Sequence, residues 1–168
     1  MSLYRCEALA AVHDRESFSC GVLPLDIYLR KQAGQDVSRK IAAVFVMVEA
    51  AEPRTIAGYY TISAMGVEPE DLAPEIARKL PRYPLLPAFL IGRLARDARF
   101  PGAGSLLLAD ALRRCLRQTD EVGAMAVLVD AKDERAAEFY AKHGFIPLRK
   151  TPGRLFLPMR TIARAGAV

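Results

Sequence analysis

Phe89-Leu90-Ile91-Gly92-Arg93-Leu94-Ala95-Arg96-Asp97-Ala98-Arg99-Phe100-Pro101-Gly102-Ala103-Gly104-Ser105-Leu106-Leu107-Leu108 decides how this chain is read. Its first part is apolar and predicts a central strand, Phe89–Arg96. A glycine-containing loop follows over Asp97–Gly104, then a helix from about Ser105 to Gln118. Backbone N–H groups at a helix start have no intrahelical acceptor, and the helix dipole adds partial positive charge there. Gly102 and Gly104 carry no side chains, so an anion can approach the amides, and Ser105 can cap the helix or donate its hydroxyl. Read from the residues alone, the stretch suits a phosphate cradle and a plain structural turn equally well. No Lys-Ser/Thr pair follows the last glycine and no three-glycine fingerprint is present, which excludes a nucleotide P-loop and a dinucleotide fold.

Working outward, residues 3–9 predict a first strand, and Ser17–Pro24 is turn-rich. Leu25, Tyr28, Leu29 and Ala33 follow helical spacing within a helix from about Leu25 to Lys40. Ile41–Glu49 and Ile56–Met65 read as partner strands around a turn at Ala50–Arg54. Glu68–Leu80 reads as a polar helical connection, and the prolines of Leu80–Pro87 impose an extended path. After the central helix, Ala124–Val129 predicts a strand, Glu134–His143 a helix closed by Gly144, and Phe145–Arg149 with Leu155–Met159 a last hairpin. Strands alternating with helices give an α/β (α+β) sandwich.

The 168 residues amount to about one domain, and 52% hydrophobic with 26% charged residues is a globular composition. The apolar runs Ile41–Val48 and Leu85–Ile91 fall far short of the roughly 18 residues that cross a bilayer. The N-terminus lacks an apolar signal region, so a cytoplasmic, non-membrane protein is expected. Cys6, Cys20 and Cys115 are scattered without metal-ligand spacing, which fits reduced thiols and no metal. A net charge of +5 and pI of about 9.3 suit a polyanionic partner or simply a basic surface.

A second informative stretch runs from Val127 to Phe145. Asp133 is a good N-cap, Ala136 and Tyr140 lie one turn apart, and Gly144 ends the helix. On these residues alone, Tyr140 is by default an amphipathic packing residue.

Together the two stretches resemble the GNAT superfamily of acyl-CoA-dependent N-acyltransferases. Arg99-Phe100-Pro101-Gly102-Ala103-Gly104 satisfies its pyrophosphate motif, Gln/Arg-x-x-Gly-x-Gly/Ala. Asp133, Ala136, Phe139, Tyr140, Gly144 and Phe145 match its later motif, in the right order. The first half resembles one branch, the acetyltransferase toxins of type II toxin–antitoxin systems, through Phe18-Ser19-Cys20-Gly21, Leu25-Asp26-x-Tyr28-Leu29 and Leu80-Pro81-Arg82-Tyr83-Pro84. Two departures stand out: Arg96 replaces the valine usual in that branch, and the loop lacks an extra Gly-x pair.

The resemblance implies a single GNAT domain over 1–162, with 163–168 a frayed tail. It implies a mixed, mostly antiparallel sheet flanked by helices, with a V-shaped opening between two central strands. Acetyl-CoA is the implied cosubstrate. Leu94, Ala95 and Arg96 would hold its pantetheine arm, Arg99, Gly102, Ala103, Gly104 and Ser105 its pyrophosphate, and Asp133 would lie in the same cofactor set. Tyr140 would be the general acid. The branch acetylates the α-amine of aminoacyl-tRNA and is neutralised by a ribbon-helix-helix antitoxin. Arg30, Lys31, Lys40, Arg78, Lys79, Arg82 and Arg93 are then candidates for a tRNA face, or else ordinary solvated charges. Dimers are frequent in that branch, and Tyr83–Pro87 is a candidate interface.

No base is evident, since His13 and His143 read as surface histidines. An α-amine with a pKa of about 7.7–8.0 is already roughly 10–20% neutral at pH 7, whereas a lysine near 10.4 is neutral about once in 10³ molecules. Lysine would need roughly 4 kcal/mol of help from a base or from burial. A chain without a base therefore fits an α-amine acceptor. Two alternatives stay open here: acetylation of a small amine or protein N-terminus, and a degenerate domain that binds RNA or a partner without turnover.

Overall fold

A computed structural model describes residues 3–165. Seven strands form one open sheet in the order β1-β2-β3-β4-β5-β7-β6: β1 (Tyr4–Ala8), β2 (Ala43–Glu49), β3 (Glu52–Val67), β4 (Leu86–Arg96), β5 (Ala126–Asp130), β6 (Ile146–Pro147) and β7 (Arg154–Pro158). β4 and β5 pair in parallel, whereas β1–β2, β2–β3, β5–β7 and β6–β7 pair antiparallel. The helices are α1 (Leu23–Ile27), α2 (Ala33–Ser38), α3 (Pro74–Ala77), α4 (Ala103–Gln118), α5 (Glu134–Lys142) and α6 (Met159–Arg164). A parallel β4–β5 pair needs a crossover, which α4 supplies. The expected mixed, mostly antiparallel sheet flanked by helices is what the chain forms.

The chain divides into two compact units: residues up to Ser63 with Arg93–Ala111, and Ala64–Gly92 with the residues from Leu112 onward. In the first, Phe18, Tyr28, Leu29, Val46, Ile56 and Tyr59 form the core with Ala95. Alternate β2 residues Val44, Val46 and Val48 supply its floor, as a period of two requires. Much of the Leu25-Asp26-x-Tyr28-Leu29 signature is explained by packing here. Buried Asp26 accepts from the Cys20 N–H at 2.9 Å, fixing the turn that enters α1. Tyr28 donates to Asp36 at 2.8 Å, and the Arg93 guanidinium stacks 3.7 Å over its ring. In the second unit, Val67, Leu72, Leu86, Ala88, Leu128, Leu148 and Phe156 form the core.

Several boundaries differ from the sequence expectation. The first helix begins at Leu23, and a π-helical stretch, Tyr28–Gln32, separates α1 from α2. It ends before Lys40, whose φ of 62° is left-handed. Strand β3 is far longer than Ile56–Met65, because it continues through polar residues that a sequence reads as turn. Glu68–Leu80 is no continuous helix: prolines break it into a 3-10 turn, Pro69–Asp71, and the single turn of α3. Helix α4 starts at Ala103, so Ser105 is its third residue rather than its cap. The last hairpin is mostly β7, with β6 reduced to two residues. The expected frayed tail is corrected in part. Ala163 and Arg164 belong to α6, anchored by buried Met159 and Ile162, and residues 166–168 lie outside those described.

His13 is also not the surface residue expected. It is 5% exposed; its Nδ1 accepts from the Ala10 N–H at 3.0 Å, and its Nε2 meets Glu7 Oε2 at 2.7 Å. This clamps the end of β1, a structural use of the ring. His143 is exposed, with Nδ1 2.8 Å from the Phe139 carbonyl.

Candidate active site

The loop after β4 is built on a carboxylate that the sequence reading passed over. Asp97 is 1% exposed and accepts from the amides of Ser19 (3.0 Å) and Arg99 (2.9 Å). It also takes a bidentate pair from the Arg99 guanidinium at 2.8 and 2.9 Å. Burial works to raise its pKa, but the Arg99 hydrogen bonds and the Ser19 amide outweigh it and hold the carboxyl below the usual range. Arg99 is thus committed to shaping the loop rather than standing as a free phosphate clamp. Asp97 lies inside the quoted stretch, but nothing in its neighbours announces that Ser19 will come to meet it.

The Asp97 N–H donates to Ala57 O at 2.8 Å and the Arg93 N–H to Thr61 Oγ1 at 3.1 Å, both on β3. With a period of two, the backbone groups of Leu94 and Arg96 face the other edge of β4. The β4–β5 ladder ends at Ile91↔Val129, so Gly92–Arg96 run past it. Ala95 points into the core. Gly58 permits this packing: a Cβ there would meet Ala95 O and Leu107 Cδ2 at 3.0 Å each. Gly102 has φ +85°, and a Cβ on it would meet nothing within 4 Å. The space beside the start of α4 is therefore open, as a pyrophosphate would require. Ala103 is buried, its N–H 3.3 Å from Phe100 O, while Gly104 and Ser105 contribute amides of the first helical turn. Gly102→Val should cost about 1–2 kcal/mol of strain through its left-handed φ. The loop should then lose acetyl-CoA affinity by roughly tenfold or more, read by calorimetry.

In the second unit, the Asp133 carboxylate caps α5 by accepting from the Ala136 N–H at 2.8 Å, and sits 3.5 Å from Lys132 Nζ. That use orients the helix carrying Tyr140. The Tyr140 ring is buried, edge-on to Phe139 at 5.4 Å and Phe145 at 5.5 Å. Burial first, and the Asp130 carboxylate second, raise the phenol pKa, so it stays protonated well above neutrality. The hydroxyl has no partner among the described residues, yet no side-chain polar atom there is both sealed and unpaired. Tyr140 is only 4% exposed, and its hydroxyl is unbonded without being fully sealed.

No protein-family model matches the chain. Over 159 residues it is 33% identical to a protein of Sinorhizobium fredii named probable toxin TacT, covering 89% of this chain and 87% of that one. It is also 33% identical over 149 residues to a tRNA-acetylating toxin of Mycobacterium tuberculosis, covering 88% and 87%. The chain belongs to the GNAT acetyltransferase toxins. It is an N-acetyltransferase by that membership. Solved relatives agree in fold: AtaT complexed with acetyl-methionyl-tRNAfMet superposes with a TM-score of 0.89 at 28% identity, over 97% of this chain and 99% of that one. A mutant AtaT bound to acetyl-CoA and the C-terminus of its antitoxin AtaR gives 0.83 at 26%, over 98% and 99%.

Against this toxin fold, the proposed RNA-facing cations fall into both units. Arg30 and Lys31 lie on the π-helical stretch, Lys31 exposed; Arg93, in the same unit, is committed to Tyr28. Arg78, Lys79 and Arg82 are exposed in the second unit, on and after α3. Two groups were given no role by the sequence reading, Asp130 at the end of β5 and Arg154 on β7. They form a bidentate pair, Nε to Oδ1 at 2.7 Å and Nη2 to Oδ2 at 3.1 Å. They are 24 positions apart, and only strand register joins them. Among the described residues no helix is long and apolar enough to cross a membrane.

Proposed function

We propose that this chain transfers acetyl from acetyl-CoA to the α-amine of aminoacyl-tRNA, halting translation in the cytoplasm until a ribbon-helix-helix antitoxin neutralises it. The observation that carries this reading is the 33% identity to a tRNA-acetylating toxin over 88% of the chain. The open Gly102 turn and the unbonded hydroxyl of Tyr140 on α5 support it.

Acetyl-CoA supplies an acyl thioester with a thiolate leaving group. The amides at the start of α4 hold its pyrophosphate, and the free backbone edge at Leu94 and Arg96 holds the pantetheine arm as a neighbouring strand would. No residue forms a covalent intermediate: the amine attacks the carbonyl directly. Tyr140 donates a hydrogen bond that strengthens as charge gathers on sulfur and then passes its proton. With a thiol pKa of about 8.5 and a phenol above 10, full transfer is uphill, so the contribution is mostly stabilisation of developing charge. Arg30, Lys31, Arg78, Lys79 and Arg82 are the cations proposed to meet tRNA phosphates, which makes affinity fall with salt.

Acetyl-CoA at 100 times its Kd should raise unfolding stability by about 2.7 kcal/mol, read as a thermal shift. The purified protein should then stop a cell-free translation reaction only when acetyl-CoA is present. Translation that continues while the protein binds acetyl-CoA and transfers its acetyl group to an added small amine or peptide N-terminus, releasing CoA, would favour that acceptor. A protein that produces no thermal shift would be a non-catalytic binding module.

A further inference from the structure

The buried side chains of His13, Asp26, Asp71 and Asp97 fix turns and loops, whereas Thr61, 2% exposed, sits inside strand β3. Its Oγ1 accepts from the Arg93 N–H at 3.1 Å. Register sets these partners. The Asp97 N–H meets Ala57 O, and stepping equally far back along β4 and forward along β3 brings Arg93 opposite Thr61. Val44, level with Thr61 on β2, turns its carbonyl the other way, to the Leu9 N–H beyond β1. Antiparallel pairs alternate between bonded and non-bonded, so the backbone of Thr61 faces β4. A plain ladder would offer the Arg93 amide a carbonyl; here a side-chain oxygen accepts from it.

Side chains stand roughly perpendicular to a sheet, so an amide that meets Oγ1 is turned out of the sheet plane. This happens at Arg93, just beyond the end of the β4–β5 ladder at Ile91↔Val129. The Arg93 side chain is tied down on the same face. Tyr59 and Thr61 share one face of β3, and Tyr59 stacks on Tyr28 with ring centroids 6.3 Å apart. The Arg93 guanidinium lies 3.7 Å over that Tyr28 ring. Tyr28 is fixed in turn through its hydroxyl to Asp36, which also accepts from Gln32 at 2.9 Å. Amide and guanidinium of Arg93 are thus both anchored immediately before the Leu94–Arg96 edge. A strand edge already in its bound geometry spares a ligand the cost of ordering it.

We propose that Thr61 is a positioning residue for acetyl-CoA: its hydroxyl oxygen draws the Arg93 amide toward β3 and so presents the backbone of Leu94 and Arg96 to the pantetheine arm. Thr61 acts through β4 rather than on the reacting atoms. Without that oxygen, β4 keeps its bond to Ala57 but loses the tilt at Arg93, and the arm must impose the geometry itself. The pyrophosphate, held by amides at the start of α4, does not depend on that tilt. This inference rests on the placement of acetyl-CoA proposed above.

The test is calorimetry with two ligands on wild type, Thr61→Val and Thr61→Ser. One ligand is acetyl-CoA; the other is its phosphoadenosine diphosphate portion, which keeps the pyrophosphate and lacks the pantetheine arm. Valine matches threonine in shape and suits a strand, so Thr61→Val removes only the acceptor, whereas Thr61→Ser retains it. Thr61→Val should weaken acetyl-CoA about 3–10-fold, the worth of one hydrogen bond, and leave the fragment within about twofold. Thr61→Ser should bind acetyl-CoA as wild type does. In steady-state kinetics Thr61→Val should raise KM for acetyl-CoA by the same factor, with kcat at saturating cofactor nearly unchanged. A merely structural threonine would weaken both ligands together or neither, and either result overturns the proposal. Should Thr61→Val fail to fold, amide exchange in the wild type decides. The Arg93 N–H should be slow without cofactor, and those of Leu94 and Arg96 should become slow only when acetyl-CoA binds. A fast Arg93 amide overturns the role of Thr61. A wild type that binds acetyl-CoA no better than the fragment overturns the pantetheine edge itself, and this inference with it.

Discussion

Tyr140→Phe should lower acetyl transfer by about 10²–10⁴-fold while leaving thermal stability nearly unchanged. The first half follows from removing the phenol proposed to protonate the leaving sulfur. The second follows from the hydroxyl having no hydrogen-bond partner among the described residues, while the ring contacts with Phe139 and Phe145 survive the substitution. A merely structural tyrosine would show the opposite, with little change in rate. The pH profile adds a sign. The acid form is the active one, and burial with Asp130 raises its pKa, so it persists as pH rises. The amine must be neutral, which makes kcat/KM climb through about pH 7.7–8.0. No falling limb from Tyr140 should appear below about pH 10. Steady-state kinetics of both proteins across that range, with a thermal melt of each, checks all three statements.

Asp97→Ala should be the most damaging change in the phosphate loop. It removes the charged acceptor of the Ser19 and Arg99 amides and releases the guanidinium that folds back over the turn. Hydrogen bonds to a charged group contribute about 1.5–3 kcal/mol each, and Arg99 is half-exposed, so its share is discounted; a loss of about 3 kcal/mol is expected. For a chain of this length that is a fall in Tm of about 6–12 °C. Acetyl-CoA affinity should drop with it, because the turn that presents Gly102 loses its anchor. The folded-state pKa of Asp97 is depressed, so its stabilisation is present above the unfolded value of about 3.9 and is lost as pH falls through the lower folded value. The wild-type and Asp97→Ala melting curves should therefore converge in acid, below about pH 4. Equal Tm values at pH 7 would contradict this account.

Local chemistry made some features legible in advance. A strand, a glycine turn and a long helix follow from Phe89–Leu108, because apolar run, small residues and helical periodicity are neighbours in sequence. The α5 segment was equally plain, since Asp133 caps it and Gly144 closes it at φ +92°. The order of the two GNAT motifs, and with it the acetyltransferase family, was therefore available from the chain alone.

What the sequence left dark depends on distance along the chain. Asp97 needs Ser19, 78 positions away, before its carboxylate becomes the loop's anchor. His13 looked exposed until β1 brought Glu7 to its ring at 2.7 Å. Asp130 and Arg154 acquire meaning only when antiparallel register sets them opposite each other on β5 and β7. Short-range pattern fixes backbone conformation because φ, ψ and hydrophobic period are properties of adjacent residues. Which polar group is buried, and against what, is settled only when remote segments exclude water together, and tertiary structure alone decided that here.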